Sequence, residues 1–233
     1  MPKAVLWDLD GTLVDSEQSH WQAWRDTMKS YGREITQAQF RSTFGWRNDA
    51  ILADWLGSET TPDQVNQIGH AKEALFRQIV RLNGIEPLPG ALEWVRRLRQ
   101  ASWRQAIASS APRENVEAVL EALHFRESFE AVVTAEDVRQ GKPEPEVFLK
   151  AASVLGVMPS QTIVVEDAAM GIEAARRAGM RSIGVSARSK LPASLHVASL
   201  ADLSVDAFDR LLATDGDPFM VGNYSAPSPP SGG

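Results

Sequence analysis

Ala4-Val5-Leu6-Trp7-Asp8-Leu9-Asp10-Gly11-Thr12 is the stretch on which the reading of the whole chain turns. Residues 4–9 are apolar on both faces until the carboxylates begin, the pattern of a strand buried in the middle of a parallel sheet. Gly11 then signals a turn. Side chains alternate along a strand, so Asp8 and Asp10 project the same way. Two carboxylates placed together are costly unless something cationic joins them. Taken alone, Asp-x-Asp-Gly also suits an ordinary turn. A calcium loop fits poorly: it needs a preceding helix, Gly at the sixth position and Glu at the twelfth, whereas here a strand precedes and Gly11 is fourth counting from Asp8.

Outward from this strand the pattern becomes helical. Asp15 or Ser16 can cap a helix that carries Trp21, Trp24 and Met28 at i, i+3 and i+7 and ends at Gly32. Thr36 with Gln39 forms a capping box for a second, short helix. A third piece runs from Asn48 to Leu56 and closes at Gly57. Thr61-Pro62-Asp63-Gln64 then opens a long helix to Asn83-Gly84 with a cap, a first-turn proline and a capping-box partner. Residues 15–87 therefore read as an all-α unit.

After Leu88-Pro89-Gly90, strands and helices alternate. Strands are expected at residues 105–108, 131–134, 162–165 and 181–185. Helices are expected at 91–99, after Pro112, after Pro145, at 169–178, and finally to Leu212 with Asp202 or Ser204 as cap. Such alternation implies right-handed crossovers and a parallel sheet covered on both faces. A lone first strand is not stable, so it joins the later sheet and the helical block becomes an insertion. The expected fold is α/β: a Rossmann-like core from residues 1–14 and 88–212, an inserted helical cap at 15–87, and a Pro/Ser/Gly-rich tail at 213–233 without periodicity, read as disordered.

Further polar residues stand where the strands end or just beyond. Ser109-Ser110 follows Ala106-Ile107-Ala108, Lys142 precedes a helix in Gly-Lys-Pro, and Glu166-Asp167 follows Ile163-Val164-Val165. Singly, each has a plain reading: a helix cap for Ser109 and for Glu166-Asp167, a solvated loop residue for Lys142. Together they share one place, because the C-terminal strand ends of an open parallel sheet lie along one edge, where ligands bind.

Composition limits the function. The 233 residues are 43% apolar and 23% charged, ordinary for a globular protein. Thirty acidic against 24 basic residues give a net charge of −6, with no basic surplus for nucleic acid. Cysteine is absent, which removes disulfides, thiolate zinc sites and Cys nucleophiles. No run approaches the ~18 apolar residues of a membrane span, and the first apolar run is too short for a secretion signal. A cytoplasmic protein without a membrane or nucleic-acid partner is expected, its oligomeric state open with a monomer favoured. Neither G-x-G-x-x-G nor G-x-x-x-x-G-K-[ST] occurs, which disfavours a nucleotide-binding oxidoreductase.

Asp8-Leu9-Asp10-Gly11-Thr12-Leu13-Val14-Asp15-Ser16, Ser109, Lys142-Pro143 and Glu166-Asp167 resemble, in order, the four motifs of the haloacid dehalogenase superfamily. The helical insertion resembles the cap of the subgroup that contains β-phosphoglucomutase, phosphoglycolate phosphatase and many sugar phosphatases. The resemblance spans residues 4–212. It implies a Rossmann-like core, Mg²⁺ and an aspartyl-phosphate intermediate. The dehalogenases lack the second Asp of the first motif; Asp10 is present, which favours phosphoryl chemistry. The resemblance implies Asp8 as nucleophile, Asp10 as general acid and base, Ser109 and Lys142 on the phosphoryl group, and Asp8, Asp167, Glu166 and the Asp10 carbonyl around Mg²⁺. A carboxylate approaching a phosphate dianion is repelled by roughly 4 kcal/mol per charge pair at 4 Å and an effective dielectric of ~20, a barrier that a hard cation removes. Gly11 is expected to turn the backbone so that N–H groups face phosphate, with Ser110 beside it.

Specificity falls to the cap, where His20, Trp24, Trp46, Arg47, Asn48 and Lys72 are the candidates for contact with a small phosphorylated metabolite. Singly, His20, Trp24 and Trp46 also suit cap packing, and Arg47 and Lys72 suit solvated positions. The resemblance places Asn48 where the mutases carry an Arg for the distal phosphate, with Arg47 next door, while Lys72 is a candidate match for a mutase cap lysine. The expected function is a Mg²⁺-dependent phosphatase of sugar or polyol phosphates. The alternatives are a phosphosugar mutase and a catalytically silent relative, which would be expected to lose Asp8, Asp10 or Lys142.

Overall fold

The computed structural model describes residues 1–57 and 60–213. Its first strand, β1 (Ala4–Trp7), alternates strictly: Val5 and Trp7 enter one apolar layer, Ala4 and Leu6 the opposite one, all fully buried. A strand buried on both faces has to be central, and β1 pairs in parallel with β2 (Arg104–Ala108) on one side and β4 (Thr162–Glu166) on the other. With β3 (Ala131–Val133), β5 (Arg181–Val185) and β6 (Leu195–Val197), the sheet has the order β3-β2-β1-β4-β5-β6, parallel throughout. The chain goes outward from β1 through β2 to β3, then crosses back to β4. The order therefore reverses between β1 and β4, and the crevice at their C-terminal ends is a topological switch point.

Helices cover both faces. α5 (Ala91–Gln100), α6 (Arg113–Ala122) and α9 (Ala207–Ala213) pack on the Val5/Trp7 side, where Trp94, Trp103 and Phe208 fill the layer. α7 (Glu146–Leu155) and α8 (Ala169–Arg177) cover the other face, chiefly with alanines and Phe148, so these helices approach the strands closely.

Between β1 and α5 lie α1 (Glu17–Ser30), α2 (Gln37–Thr43), α3 (Asn48–Leu56) and α4 (Pro62–Asn83), which form the helical cap. Capping boxes are present at Thr36/Gln39 and Thr61/Gln64 as the sequence predicts. Trp24, Met28, Phe40, Ile51, Leu52 and Ile68 make a separate apolar cluster. Ala23, Phe76, Ile79 and Val80 instead join the layer beneath the sheet, so α1 and α4 share packing with the core.

Four local expectations are corrected. β1 ends at Trp7 rather than Leu9, because the chain turns through Leu9, whose carbonyl accepts N–H bonds from residues 12, 13 and 14. α1 ends at Ser30, before Gly32, and Ser16 at its N-cap makes no side-chain cap bond, its hydroxyl being buried. The short edge strand β6 was not expected; three residues are too few to show a period. Asp202 closes a capping box with Ser199 on a single 3-10 turn, and α9 begins only at Ala207. Ala213 is the last residue of α9; the rest of the expected tail, 214–233, lies outside the described residues.

Candidate active site

Asp8 leaves the end of β1, its N–H still bonded to the Val165 carbonyl of β4 at 3.0 Å, so the strand pairing aims its carboxylate at the switch point. Glu166 ends β4 and Asp167 follows it. Asp8, Glu166 and Asp167 offer carboxylate oxygens that all lie within 4.8 Å of one another. Lys142 arrives from the loop before α7. Its ammonium donates to Asp8 Oδ1 at 2.6 Å and to Glu166 Oε2 at 2.8 Å, with only 7% of its side chain exposed. The other Glu166 oxygen accepts the N–H groups of Asp167 and Ala168 at 3.2 and 3.0 Å.

One ammonium against three carboxylates, two of them buried and Asp167 half-buried, leaves the cluster over-negative. Burial and the neighbouring Glu166 push the Asp8 carboxyl up to about 8 despite Lys142, and burial, Glu166 and Asp8 push Asp167 up to about 9. Burial works against the Lys142 ammonium, but Asp8 and Glu166 outweigh it and hold its proton more tightly than usual. An all-oxygen acidic set that would otherwise have to retain protons fits a hard divalent cation.

Asp10 sits apart from this cluster. Its Oδ1 is 3.4 Å from His20 Nε2 on α1. Burial alone would raise the Asp10 carboxyl, but the hydrogen bond to His20, with Ser16 and the Lys72 ammonium nearby, holds it below its ordinary value. The His20 ring stacks on Phe76 of α4 at a centroid distance of 4.0 Å. Gly11 has φ +81, and a Cβ on it would fall 2.2 Å from Asp167 Oδ2, so the motif needs glycine twice over. Its N–H, however, donates to the Val14 carbonyl at 2.9 Å. The loop therefore consumes the N–H of Gly11 itself, and Gly11 contributes the turn and the space beside Asp167.

Ser109 is buried at the end of β2, and its Oγ accepts the Ala111 N–H at 3.0 Å. Ser109 and Ser110 line a small pocket with Lys142, Gly141 and, from the cap, Arg47. Its volume is about 10 Å³, close to the least that holds one water, and the half-exposed Arg47 side chain forms its cap-side wall. Trp46 beside Arg47 is 43% exposed.

Three cap expectations change. Trp24 is buried in the cap's own cluster, edge-on to Trp55, and so faces neighbours rather than the cleft. Lys72 is not solvated: it is 2% exposed, 2.9 Å from His20 Nδ1, and bonded to Glu73. Asn48 is turned to Glu73, donating to its Oε1 at 2.7 Å. Glu73 and Asn115 were missed, because a buried Glu on α4 and an Asn in the first turn of α6 carry the same local pattern as solvated ones.

The fold and this cluster define a capped, doubly wound α/β protein with an acidic, cation-accepting centre at the switch point of its sheet. Residues 5–185 match the family model described as haloacid dehalogenase-like hydrolase, and the chain belongs to that family. It is 34% identical over 191 residues to validoxylamine A 7'-phosphate phosphatase of Streptomyces hygroscopicus subsp. limoneus, covering 79% of this chain and 86% of that protein. It is 29% identical over 211 residues to β-phosphoglucomutase of Bacillus subtilis, covering 88% and 92%. Among solved structures, CbbY from Rhodobacter sphaeroides in complex with phosphate superposes with a TM-score of 0.83 at 26% identity, covering 90% of this chain and all of that one.

Proposed function

We propose that this protein is a Mg²⁺-dependent phosphatase of small sugar or polyol phosphates that works through an aspartyl-phosphate on Asp8. Residues 1–14 and 88–212 serve as the catalytic core and residues 15–87 as the specificity cap. The observation that carries this reading is the division of labour between two aspartates two residues apart: Asp8 is clamped by Lys142 within the acidic cluster, while Asp10 is held by His20 at its edge.

Asp8, Asp167 and the main-chain carbonyl of Asp10 would hold Mg²⁺. Both oxygens of Glu166 are engaged, by Lys142 and by two N–H groups, which suits it to orient the site rather than to ligate. The ion, when bound, supplies the positive charge that lets a carboxylate approach a phosphate dianion. Asp8 then attacks phosphorus as the ester P–O bond breaks. Asp10 gives a proton to the departing oxygen. The entering dianion favours that protonated state, because it adds negative charge beside the Asp10 carboxyl. In the second half, the Asp10 carboxylate takes a proton from water, which attacks phosphorus and frees Asp8 as the P–O bond to it breaks. Lys142 and the Ser109 hydroxyl stabilise the phosphoryl oxygens.

The rival reading is a phosphosugar mutase, which must hold a second phosphate in the cap and keep water from the aspartyl-phosphate. Asn48, at the position expected to supply that cation, is committed to Glu73, leaving Arg47 as the cation beside it. A single guanidinium can pair bidentately with phosphate, so the difference is one of degree. The setting this reading takes is a cytoplasmic monomer; no helix among the described residues is long and apolar enough to cross a membrane. The test is phosphate release from a panel of hexose and polyol monophosphates beside a coupled assay for glucose 6-phosphate formed from β-glucose 1-phosphate with a bisphosphate primer. Phosphate release should dominate and vanish in Asp8→Asn. Isomerisation much faster than release would make the enzyme a mutase.

A further inference from the structure

The Glu73 carboxylate on α4 is buried and collects donors from three other side chains. Lys72 Nζ lies 3.0 and 3.1 Å from its two oxygens, Asn48 Nδ2 lies 2.7 Å from Oε1, and Asn115 Nδ2 donates to Oε2. Asn115 belongs to α6 of the core, whereas Glu73, Lys72 and Asn48 belong to the cap. The Asn115 amide cannot be reversed: its Oδ1 accepts from Arg77 Nη1 at 3.1 Å, and Glu73 only accepts.

The direction of the next bonds follows from donor chemistry. An ammonium has no acceptor, so Lys72 Nζ donates to His20 Nδ1 at 2.9 Å. A neutral His20 that accepts at Nδ1 carries its proton on Nε2, the nitrogen facing Asp10 Oδ1. The ring cannot swivel freely, being stacked on Phe76 and edge-on to Phe44. The ammonium lies between the rings of Trp24 and Phe76, at 5.3 and 5.5 Å, and its charge partner there is Glu73.

We propose that Glu73 is a positioning residue for Asp10, acting through Lys72 and His20, and that its bond to Asn115 makes this arrangement depend on the cap being seated on the core. Without the Glu73 carboxylate, Lys72 loses the partner that directs it at His20. The imidazole is then free to take the other tautomer, which presents a bare nitrogen to the Asp10 carboxylate. With the cap lifted, Asn115 leaves Glu73, and the chain of bonds loses its anchor in the core.

The inference rests on the phosphatase reading, and its test separates the two. Glu73→Gln should lower kcat on alkyl phosphates about 10- to 100-fold, the scale of misplacing a catalytic group, with KM changed less than about threefold. In an Asp10→Asn background the same substitution should cost nothing further, because the residue it positions is gone. Long-range ¹H–¹⁵N spectra should show His20 protonated at Nε2 in the wild type and mixed tautomers in Glu73→Gln. Undiminished kcat in folded Glu73→Gln, or a full additional loss in the Asp10→Asn background, would overturn the inference while leaving the phosphatase intact. A wild-type enzyme without phosphomonoesterase activity would overturn the functional reading, and the His20 spectra would still decide the positioning role. If Glu73→Gln does not fold, Asn115→Ser carries the same measurements in the same direction: a kcat loss with mixed tautomers supports the role, and neither change refutes it.

Discussion

Replacing Lys142 with methionine tests the electrostatics of the acidic cluster. The ammonium bridges Asp8 and Glu166 at 2.6 and 2.8 Å and stands over the Phe148 ring at 5.0 Å. Methionine keeps most of the stem's volume against that ring and removes only the charge. Breaking a buried ion pair by deleting one partner costs about 3–5 kcal/mol. For a domain of this size each kcal/mol moves Tm by about 2–4 °C, so the metal-free variant should melt about 6–20 °C below the wild type at pH 8. A carboxylate freed of its ammonium can take up a proton instead, which places the loss toward the lower end and shrinks it at pH 6. Added Mg²⁺ should recover part of it. Calorimetric or circular-dichroism melts at pH 6 and 8, with EDTA and with Mg²⁺, read this directly. A deficit below about 2 °C at pH 8 in EDTA, or one that grows on acidification, would refute the view that Lys142 holds the cluster together.

Three further outcomes are expected. Asp10→Asn should accumulate aspartyl-phosphate with p-nitrophenyl phosphate, whose leaving group needs little acid help; rapid-quench samples without phosphorylated enzyme would remove Asp10 from the acid–base role. Gly171→Ala should weaken Mg²⁺ binding by calorimetry on the order of tenfold or more, because a Cβ there would lie 2.0 Å from Glu166 Oε2 and force that carboxylate aside; unchanged affinity would show that Glu166 moves without consequence. Asp8 and Asp167 are raised from 3.8 to about 8 and about 9, so between roughly pH 4 and pH 9 the metal-free native state holds more protons than the unfolded chain and loses stability as pH rises. The Mg²⁺-induced rise in Tm should therefore grow from pH 6 to pH 9, and a flat response would contradict the raised values.

Much of the core was legible in the sequence because each signal is local. Strand β1 announces itself by apolar character on both faces, α2 and α4 by complete capping boxes, and each polar motif by its place at a strand end or in the loop before a helix. Their meeting point needed no coordinates, since parallel strands of one sheet end along one edge. Even the glycine of the first motif was marked correctly as a turn, although its N–H proved to be spent on Val14. That detail depends on how the loop closes, which residue type does not reveal.

The cap is where tertiary structure decided. Lys72 reaches His20 across 52 residues of sequence, and Glu73 reaches Asn115 across 42. A charged residue on an amphipathic helix has the same periodicity whether it faces water or another helix, so no window of sequence distinguishes a solvated Lys72 from a buried one. Trp24 is the converse case: an indole near the motif could have faced a ligand, and it packs inside the cap. By itself the sequence determined the helices, five of the six strands and their order, and the carboxylates and lysine at the sheet's edge, because strand alternation and helix capping act over a few residues, while the three-residue β6 is too short to show a period. Only the tertiary structure decided which cap side chains join those carboxylates, because that depends on how two separately patterned surfaces come to lie against each other.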